Sequence, residues 1–115
     1  MSAGLNRVIL IGHLDDKPEI MTTDDGKEAA SFAVATSEEW TDKITGKKKQ
    51  VTHWHRVIVF NELLIATLKG YCQKETRILL EGTLRTQKQH CQDKNDRFIT
   101  EIIIPITGGK LLLLD

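Results

Sequence analysis

The chain alternates short, β-type apolar runs with polar segments that carry turn-forming residues. Alternating or β-branched runs of this length, bounded by turn residues, predict strands. The predicted strands cover residues 8–14, 29–36, 51–60, 77–86 and 97–106, with a short final strand over 111–114. Between them, the polar segments 17–27, 38–50 and 87–96 are predicted to be turns or loops, the first around Pro18 and the Asp25-Gly26 pair and the second around Thr45-Gly46.

One stretch has helical spacing. Asn61 is a suitable N-cap, and Leu64, Leu68 and Tyr71 follow at i, i+4 and i+7, so a helix is predicted that ends near Lys74. The order is therefore three strands, one helix and two strands. This is the order of an OB-fold, an all-β, five-stranded Greek-key barrel with one helix between strands 3 and 4, although other small barrels share it.

Length and composition limit the remaining possibilities. The 115 residues are expected to form one domain over 1–115. The chain has no apolar run of about 18 residues, so no membrane span is expected. The two cysteines, Cys72 and Cys91, are neither numerous nor spaced as CxxC, which favours a reducing cytosol.

The net charge is zero, yet the charges are unevenly distributed. Residues 1–36 hold three basic and six acidic residues, whereas residues 37–100 hold twelve basic and eight acidic ones. Because a polyanion responds to the local potential of a surface, the basic second part is compatible with nucleic-acid binding despite the zero sum.

The strand over 51–60 carries the main candidate site. Side chains alternate between the faces of a strand, so two sets are separated. His53, His55, Val57 and Val59 fall on one face, and the other carries Trp54, Arg56, Ile58 and Phe60. Exposed rings beside a cation are suited to stacking of unpaired bases. A buried structural tryptophan is the alternative interpretation of Trp54.

The polar segment before this strand adds further candidates. Loop lysines next to aromatic residues can contact phosphates and release counterions. The segment carries Trp40, Lys43, Lys47, Lys48 and Lys49, and the second long loop is entered through Arg85 and Lys88. The alternative for the lysine run is a solvated hairpin tip.

Catalysis is not indicated. His53 and His55 form an HxH pair, but no carboxylate or cysteine at suitable spacing completes a metal site. The acidic pairs at 15–16 and 24–25 lie in turn contexts. No nucleophile elbow, phosphate-binding glycine motif or HExxH is present, so we expect no enzyme activity, no metal and no cofactor.

Four segments resemble the bacterial single-stranded DNA-binding protein family. They are NRVILIGHL, ATSEEWTDKITGKK, THWHRVIVFNE and EGTLRTQK, and the similarity is nearly colinear from Leu5 to about Ile106. The resemblance implies an OB-fold that assembles as a homotetramer and binds single-stranded DNA with little sequence preference in replication, recombination and repair. A bacterial cytoplasm is expected, with a mitochondrial origin as the alternative.

The resemblance also implies roles for individual residues. DNA stacking is carried over onto Trp40, Trp54 and Phe60, and a place at the subunit interface onto His55. Basic contacts to DNA are carried over onto Lys43, Arg56, Lys74, Arg85 and Lys88.

The chain departs from the family pattern at several positions. Gln89 stands where a third tryptophan is common, and Ala3, Glu62 and Gln87 stand where basic residues are common. We therefore expect weaker binding per subunit than in a typical member, partly offset by Lys47 and Lys48; a gain in affinity on Gln89→Trp would support this. The family usually continues into a disordered tail with an acidic tip that recruits replication and repair proteins, and such recruitment is not expected of a chain that stops at Asp115.

Three other functions are compatible with the same barrel. An adaptor of a primosome-like complex would bind DNA weakly by itself. A nuclease would need an acidic metal site outside the turns. An oligosaccharide-binding protein would use the aromatic residues but would gain little from the lysine run.

Overall fold

The computed structural model of the protein describes residues 3–90 and 96–114. In chain order, the elements are the strands β1, β2, β3 and β4, the helix α1, and the strands β5, β6 and β7. Their bounds are Val8–Leu14, Glu19–Thr22, Glu28–Thr41, Lys48–Val59, Glu62–Tyr71, Arg77–His90, Asp96–Ile104 and Lys110–Leu113.

Five of these strands close into a barrel, in the order β1-β3-β4-β6-β5 with β5 pairing back onto β1. All pairs in this ring are antiparallel except β4–β6, which is parallel. The short β2 pairs with β3, and β7 pairs with β5. The predicted OB-fold is confirmed, with α1 between the third and fourth strands of the barrel. The final short strand was expected, whereas β2 was predicted only as part of a turn segment.

Alternation along the strands places one side chain in two inside the barrel. Val57 and Val59 of β4 are completely buried, as are Ile104 of the neighbouring β6 and Ile78 and Leu80 of β5. Burial of such side chains is the main source of stability in a small domain. The inward positions of β4 are therefore core, and its other face is left for the surface.

The helix begins at the predicted cap and ends earlier than predicted. The Asn61 side-chain oxygen accepts hydrogen bonds from the amides of Leu63 and Leu64, at 3.0 and 3.3 Å. α1 stops at Tyr71 and not near Lys74, because Cys72 adopts an extended conformation and is buried against the core. This burial raises the pKa of the Cys72 thiol. In the described part of the chain, no helix has the length and apolar character needed to cross a membrane.

Two glycines allow strands to approach closely. A Cβ atom on Gly12 would lie 2.2 Å from the carbonyl oxygen of Ala35, and one on Gly82 would lie 2.6 Å from that of Ile103. Both distances are far below van der Waals contact, so these positions require glycine. At this close approach of β1 to β3, the residue that follows Gly12, His13, pairs with Ala35.

The predicted loops are mostly strand. β3 extends to Thr41 and β4 starts at Lys48, so only residues 42–47 connect them, and not 38–50. Likewise, β5 extends to His90 and β6 starts at Asp96, within the predicted loop 87–96, whose residues 91–95 lie outside the described part of the chain. Both hairpins project beyond the barrel. Most side chains of the segments 38–50 and 87–96 are polar on both faces, so these segments lack the apolar alternation by which a strand is recognised.

Candidate nucleic-acid interface

The outer face of β4 presents Trp54 and Arg56 to solvent. Trp54 is 58% exposed, although its strand neighbours Val57 and Val59 are completely buried. The alternative that Trp54 is a core residue is therefore wrong. The indole lies on the surface of a wall whose inner side is firmly packed, which holds the ring in place without covering it.

A groove with an alanine floor runs beside this face. Trp54 pairs with Ala35, and Ala35 pairs on its other side with His13 of β1. In the adjacent row, Arg56 pairs with Ala33, whose carbonyl accepts a 2.9 Å hydrogen bond from the amide of Asp15. The two small side chains leave space between the rows of larger ones. We call this surface the Trp54 groove: floor Ala33 and Ala35, one wall Trp54 and Arg56, the other wall His13 and Asp15.

Two open cavities of about 460 and 580 Å³ make up the Trp54 groove. Trp54 and Asp15 line both of them. Lys74, a predicted contact residue, lines the larger cavity together with His13, and Lys17 lines the smaller one together with Arg56. The structure thus brings together three of the predicted DNA contacts.

Arg56 also connects the groove to the next predicted residues. Its Nε lies 2.7 Å from Oε2 of Glu101, which is largely buried. Glu101 pairs across the β5–β6 ladder with Arg85. Arg85 in turn lines a cavity of about 320 Å³ with Phe60, which follows β4 directly. A continuous surface therefore runs from Trp54 to Phe60, with the Arg56 guanidinium oriented by Glu101.

Trp40 lies elsewhere. It belongs to β3, not to a loop, and pairs with Lys49 across the β3–β4 hairpin. By alternation from the buried Val34, its side chain leaves the hairpin on the core-facing side, opposite to that of Trp54. The ring is 47% exposed, so it is open to a ligand, but the structure does not bring the two tryptophans into one groove.

The lysines of this hairpin differ in their surroundings. Lys43 and Lys47 lie in the connection, which Asp42 organises by accepting a 2.9 Å hydrogen bond from the amide of Ile44. Asp42 also binds the Lys49 ammonium group at 3.1 Å. These two contacts lower the pKa of the Asp42 carboxyl group. Lys47 and Lys48 are exposed, and Lys48 lies on the side of Trp54 by alternation.

A second aromatic–lysine pair occurs on the β5–β6 hairpin. Lys88, a predicted contact, pairs with Phe98, which is 73% exposed. Like Trp40 and Lys49, both residues continue the core-facing side of their strands beyond the barrel. Phe98 was not predicted as a site residue, because only the register of the hairpin places it beside Lys88. Gln89 pairs with Arg97, but its side chain, on which the missing tryptophan was argued, is outside the described part of the chain.

The two histidines of β4 lie on the core-facing side near the end of the barrel. Nε2 of the half-buried His55 is 2.8 Å from the Thr36 hydroxyl, and the His53 and His55 ring centroids are 6.5 Å apart. Among the described residues, no group of three metal-ligating side chains is found. His55 is thus fixed by a hydrogen bond within its own chain.

Comparison with known proteins identifies the family. The model of the single-strand binding protein family matches residues 5–107. The chain belongs to this family.

Curated relatives agree over the full chain. The single-stranded DNA-binding protein of Rickettsia felis is 38% identical over 115 residues, which are 100% of this chain and 76% of that protein. The protein of the same name from Rhizobium meliloti is 40% identical over 115 residues, 100% of this chain and 66% of that protein. The relatives are therefore longer than this chain.

A solved structure supports the architecture. A single-strand binding protein from Plasmodium falciparum, in complex with single-stranded DNA, superposes with a TM-score of 0.92 at 34% identity, covering 100% of this chain and 99% of that one. This chain therefore shares its overall fold with that protein.

Proposed function

We propose that the protein binds single-stranded DNA without strong sequence preference and protects it during replication, recombination and repair. The observation that carries this proposal is the exposed Trp54 indole over a floor of alanines, beside Arg56. The similarity to a family member solved with single-stranded DNA supports it. The protein acts as a binding protein and not as an enzyme, in the bacterial cytoplasm.

The physical basis is stacking combined with charge. Stacking on an aromatic ring contributes about 1–3 kcal/mol per base and depends little on sequence. The proposed stacking residues are Trp40, Trp54, Phe60 and, from the structure, Phe98. Phosphates are contacted by Lys43, Lys47, Lys48, Lys49, Arg56, Lys74, Arg85 and Lys88. Because the lysines release counterions, we expect affinity to fall as salt rises.

Intrinsic fluorescence provides the test. The chain has two tryptophans, both exposed, so oligo-dT should quench their emission and added salt should reverse the quenching. Quenching that does not change with salt concentration would favour an oligosaccharide site. Cleavage of the oligonucleotide with added magnesium would favour a nuclease.

A primosome-like adaptor is the second candidate, and the acidic wall of the Trp54 groove favours it. Asp15, Asp16 and Glu19 line the smaller cavity and oppose a polyanion. An adaptor would give a flat oligo-dT titration at low salt, whereas saturable quenching would exclude it.

We also propose a homotetramer. An apolar row crosses the outer faces of three strands: Ile11 of β1 pairs with Leu79 of β5, which pairs with Leu112 of β7. Ile11 is 48% and Leu112 is 55% exposed. A further chain covering this row would remove the apolar surface from water. His55 is proposed to lie at another subunit contact.

Light scattering tests the assembly. Ile11→Glu should lower the mass from four chains toward one, because a carboxylate cannot be buried unpaired at an interface. Ile44→Glu is the matched control, since Ile44 lies at the tip of the β3–β4 hairpin and is 94% exposed. A monomeric wild type at micromolar concentration would contradict the tetramer and leave DNA binding unaffected.

A further inference from the structure

Asp15 is an unexpected residue in the Trp54 groove. Asp15 and Trp54 are the two residues that line both cavities of the groove. Asp15 also faces Arg56 across Ala33. Its neighbour Asp16 has a local function, since its carboxylate accepts a 2.7 Å hydrogen bond from the amide of Lys17. Within the described residues, the Asp15 carboxylate has no hydrogen-bond or ion-pair partner. An unpaired anion thus faces the space where an anionic polymer is proposed to bind.

The spacing of the walls indicates which part of the polymer enters. Trp54 and His13 stand on β4 and β1, which flank β3, so their backbones are about 10 Å apart at the usual strand separation. A stacked base occupies about 3.4 Å. Two rings standing on these strands therefore leave room for a base between them. The cavity that both rings line, about 580 Å³, is open to solvent on one side.

The charges of the groove lead to the same conclusion. Glu75 joins Asp15 in the larger cavity, where Lys74 is the only lysine or arginine among the lining residues. Two carboxylates repel a phosphate in the interior, whereas an uncharged base can donate hydrogen bonds to a carboxylate from the N–H groups of its edge. The phosphates are then left at the rim, near Lys74 and Arg56.

We propose that the Trp54 groove holds one base between Trp54 and His13, and that Asp15 makes it favour a base with an exocyclic amino group, cytosine over thymine. This inference rests on the proposed binding of single-stranded DNA and adds a specificity at one position. The preference is modest and local, since other bases of a bound strand lie outside the groove.

The two pyrimidines differ at the atom that Asp15 would meet. Cytosine carries an N4 amino group, a donor that Asp or Glu accepts, whereas thymine carries the O4 acceptor, which a carboxylate repels. Thymine also has a C5 methyl group. Oligonucleotides of 5-methylcytosine share that methyl group, so a difference from oligo-dT must come from the polar edge, where cytosine has N4–H₂ and N3 and thymine has O4 and N3–H, and not from the methyl group.

The experiment measures the dissociation constants of oligo-dT, oligo-dC and oligo-5-methyl-dC at one salt concentration. In the wild type, both cytosine polymers should bind about threefold more tightly than oligo-dT, as one hydrogen bond to a charged group allows. Asp15→Asn should remove this ratio, because an amide serves N4 and O4 equally, and should bind oligo-dT more tightly. Asp24→Asn, the same charge change in the β2–β3 turn, is the matched control and should keep the ratio.

The outcomes are distinguishable. A wild type that binds none of the polymers contradicts the proposed function itself. Binding with equal affinities for all three, or a ratio that Asp15→Asn and Asp24→Asn change alike, overturns the role of Asp15 and leaves DNA binding intact.

His13 is tested separately as the second wall. His13→Ala should weaken oligo-dC and oligo-dT alike by about fivefold or more, since stacking is indifferent to the base. The control is His53→Ala, which removes an exposed histidine on the other face of the sheet. It should change neither the affinity for oligo-dC nor that for oligo-dT. Equal affinities for wild type and His13→Ala, with unchanged unfolding midpoints, would overturn the two-walled site.

Discussion

The Trp54 groove and the two projecting hairpins present aromatic rings in different ways. In the groove, Trp54 stands on a wall whose inner face is packed with Val57 and Val59, and carboxylates line the space around the ring. On the hairpins, Trp40 and Phe98 are each paired with a lysine and lie beyond the core. The rings are of the same kind, but their backing and charge differ.

This difference separates two tasks of binding single-stranded DNA. The groove stands on a wall that is packed against the core and it is lined by acids, so it is suited to holding a base and keeping the phosphate outside. The hairpins combine a ring and a cation at cross-strand distance, so each is suited to one nucleotide as a whole, base and phosphate. Salt dependence should therefore arise mainly from the hairpins, and base selection from the groove.

Gly12→Ala should have the largest effect, because it disturbs the groove and the barrel together. The added Cβ would meet the backbone oxygen of Ala35, which cannot move without parting β1 from β3. We expect a loss of unfolding free energy of about 3 kcal/mol, at the upper end for overpacking. Denaturant unfolding measures it. Gly4→Ala, where nothing lies within 4 Å, is the control, and equal stability of the two variants would contradict this account.

Trp54→Ala should weaken binding most among the ring substitutions without affecting stability. Removal of a stacking ring costs about 1–3 kcal/mol of binding free energy. Because the ring is exposed and the core side of β4 is unchanged, the unfolding midpoint should stay near that of the wild type. Titration at several salt concentrations should give an unaltered salt slope. A reduced slope would show that phosphates are bound in the groove.

Phe98→Ala should cost about 1 kcal/mol of binding free energy, at the lower end of the stacking range, because a phenyl ring offers less surface than an indole. The double variant Trp54→Ala with Phe98→Ala tests whether the groove and the hairpin bind DNA independently. Trp54 and Phe98 do not pair with each other, and their side chains lie on opposite sides of the sheet, so their losses should add within about 0.5 kcal/mol. Strong non-additivity in titrations of the three variants would mean that groove and hairpin act as one site.

Replacing Lys47, Lys48 and Lys49 together by glutamine should have the smallest effect of these substitutions at high salt, because the contribution of counterion release to affinity falls as salt rises. Each lost phosphate contact should reduce the slope of log affinity against log salt by about 0.7 for a single strand. Lys49 is already paired with Asp42, so we expect fewer than three contacts to be lost. Lys27→Gln, in the β2–β3 turn, is the control. An unchanged slope in the triple variant would assign these lysines to solvation of the hairpin.

Local pattern was sufficient for much of the fold and for half of the candidate site. The apolar alternation of β4 separated Trp54 and Arg56 from Val57 and Val59, and the structure places the two sets on opposite faces as predicted. Asn61 was recognised as the helix cap from residue type and the spacing that follows it. These features depend on neighbours in the chain, whose geometry residue type largely determines.

The hairpins could not be delimited in this way. Their strands carry mostly polar residues on both faces, so pattern alone predicted loops over 38–50 and 87–96 and placed Trp40 in the first of them. Pairing across each hairpin decides the outcome: it extends the strands, turns Trp40 to the other side, and places Phe98 beside Lys88.

What the sequence by itself determined is therefore which strands and which helix form, and which face of each strand is apolar. Only the tertiary structure decided that His13 and Asp15 stand opposite Trp54 and Arg56. These residues are about forty positions apart, and no local periodicity links them. Their proximity follows from the order β1-β3-β4 in the closed sheet and from the close approach at Gly12, both of which are set by closing the barrel around a shared core.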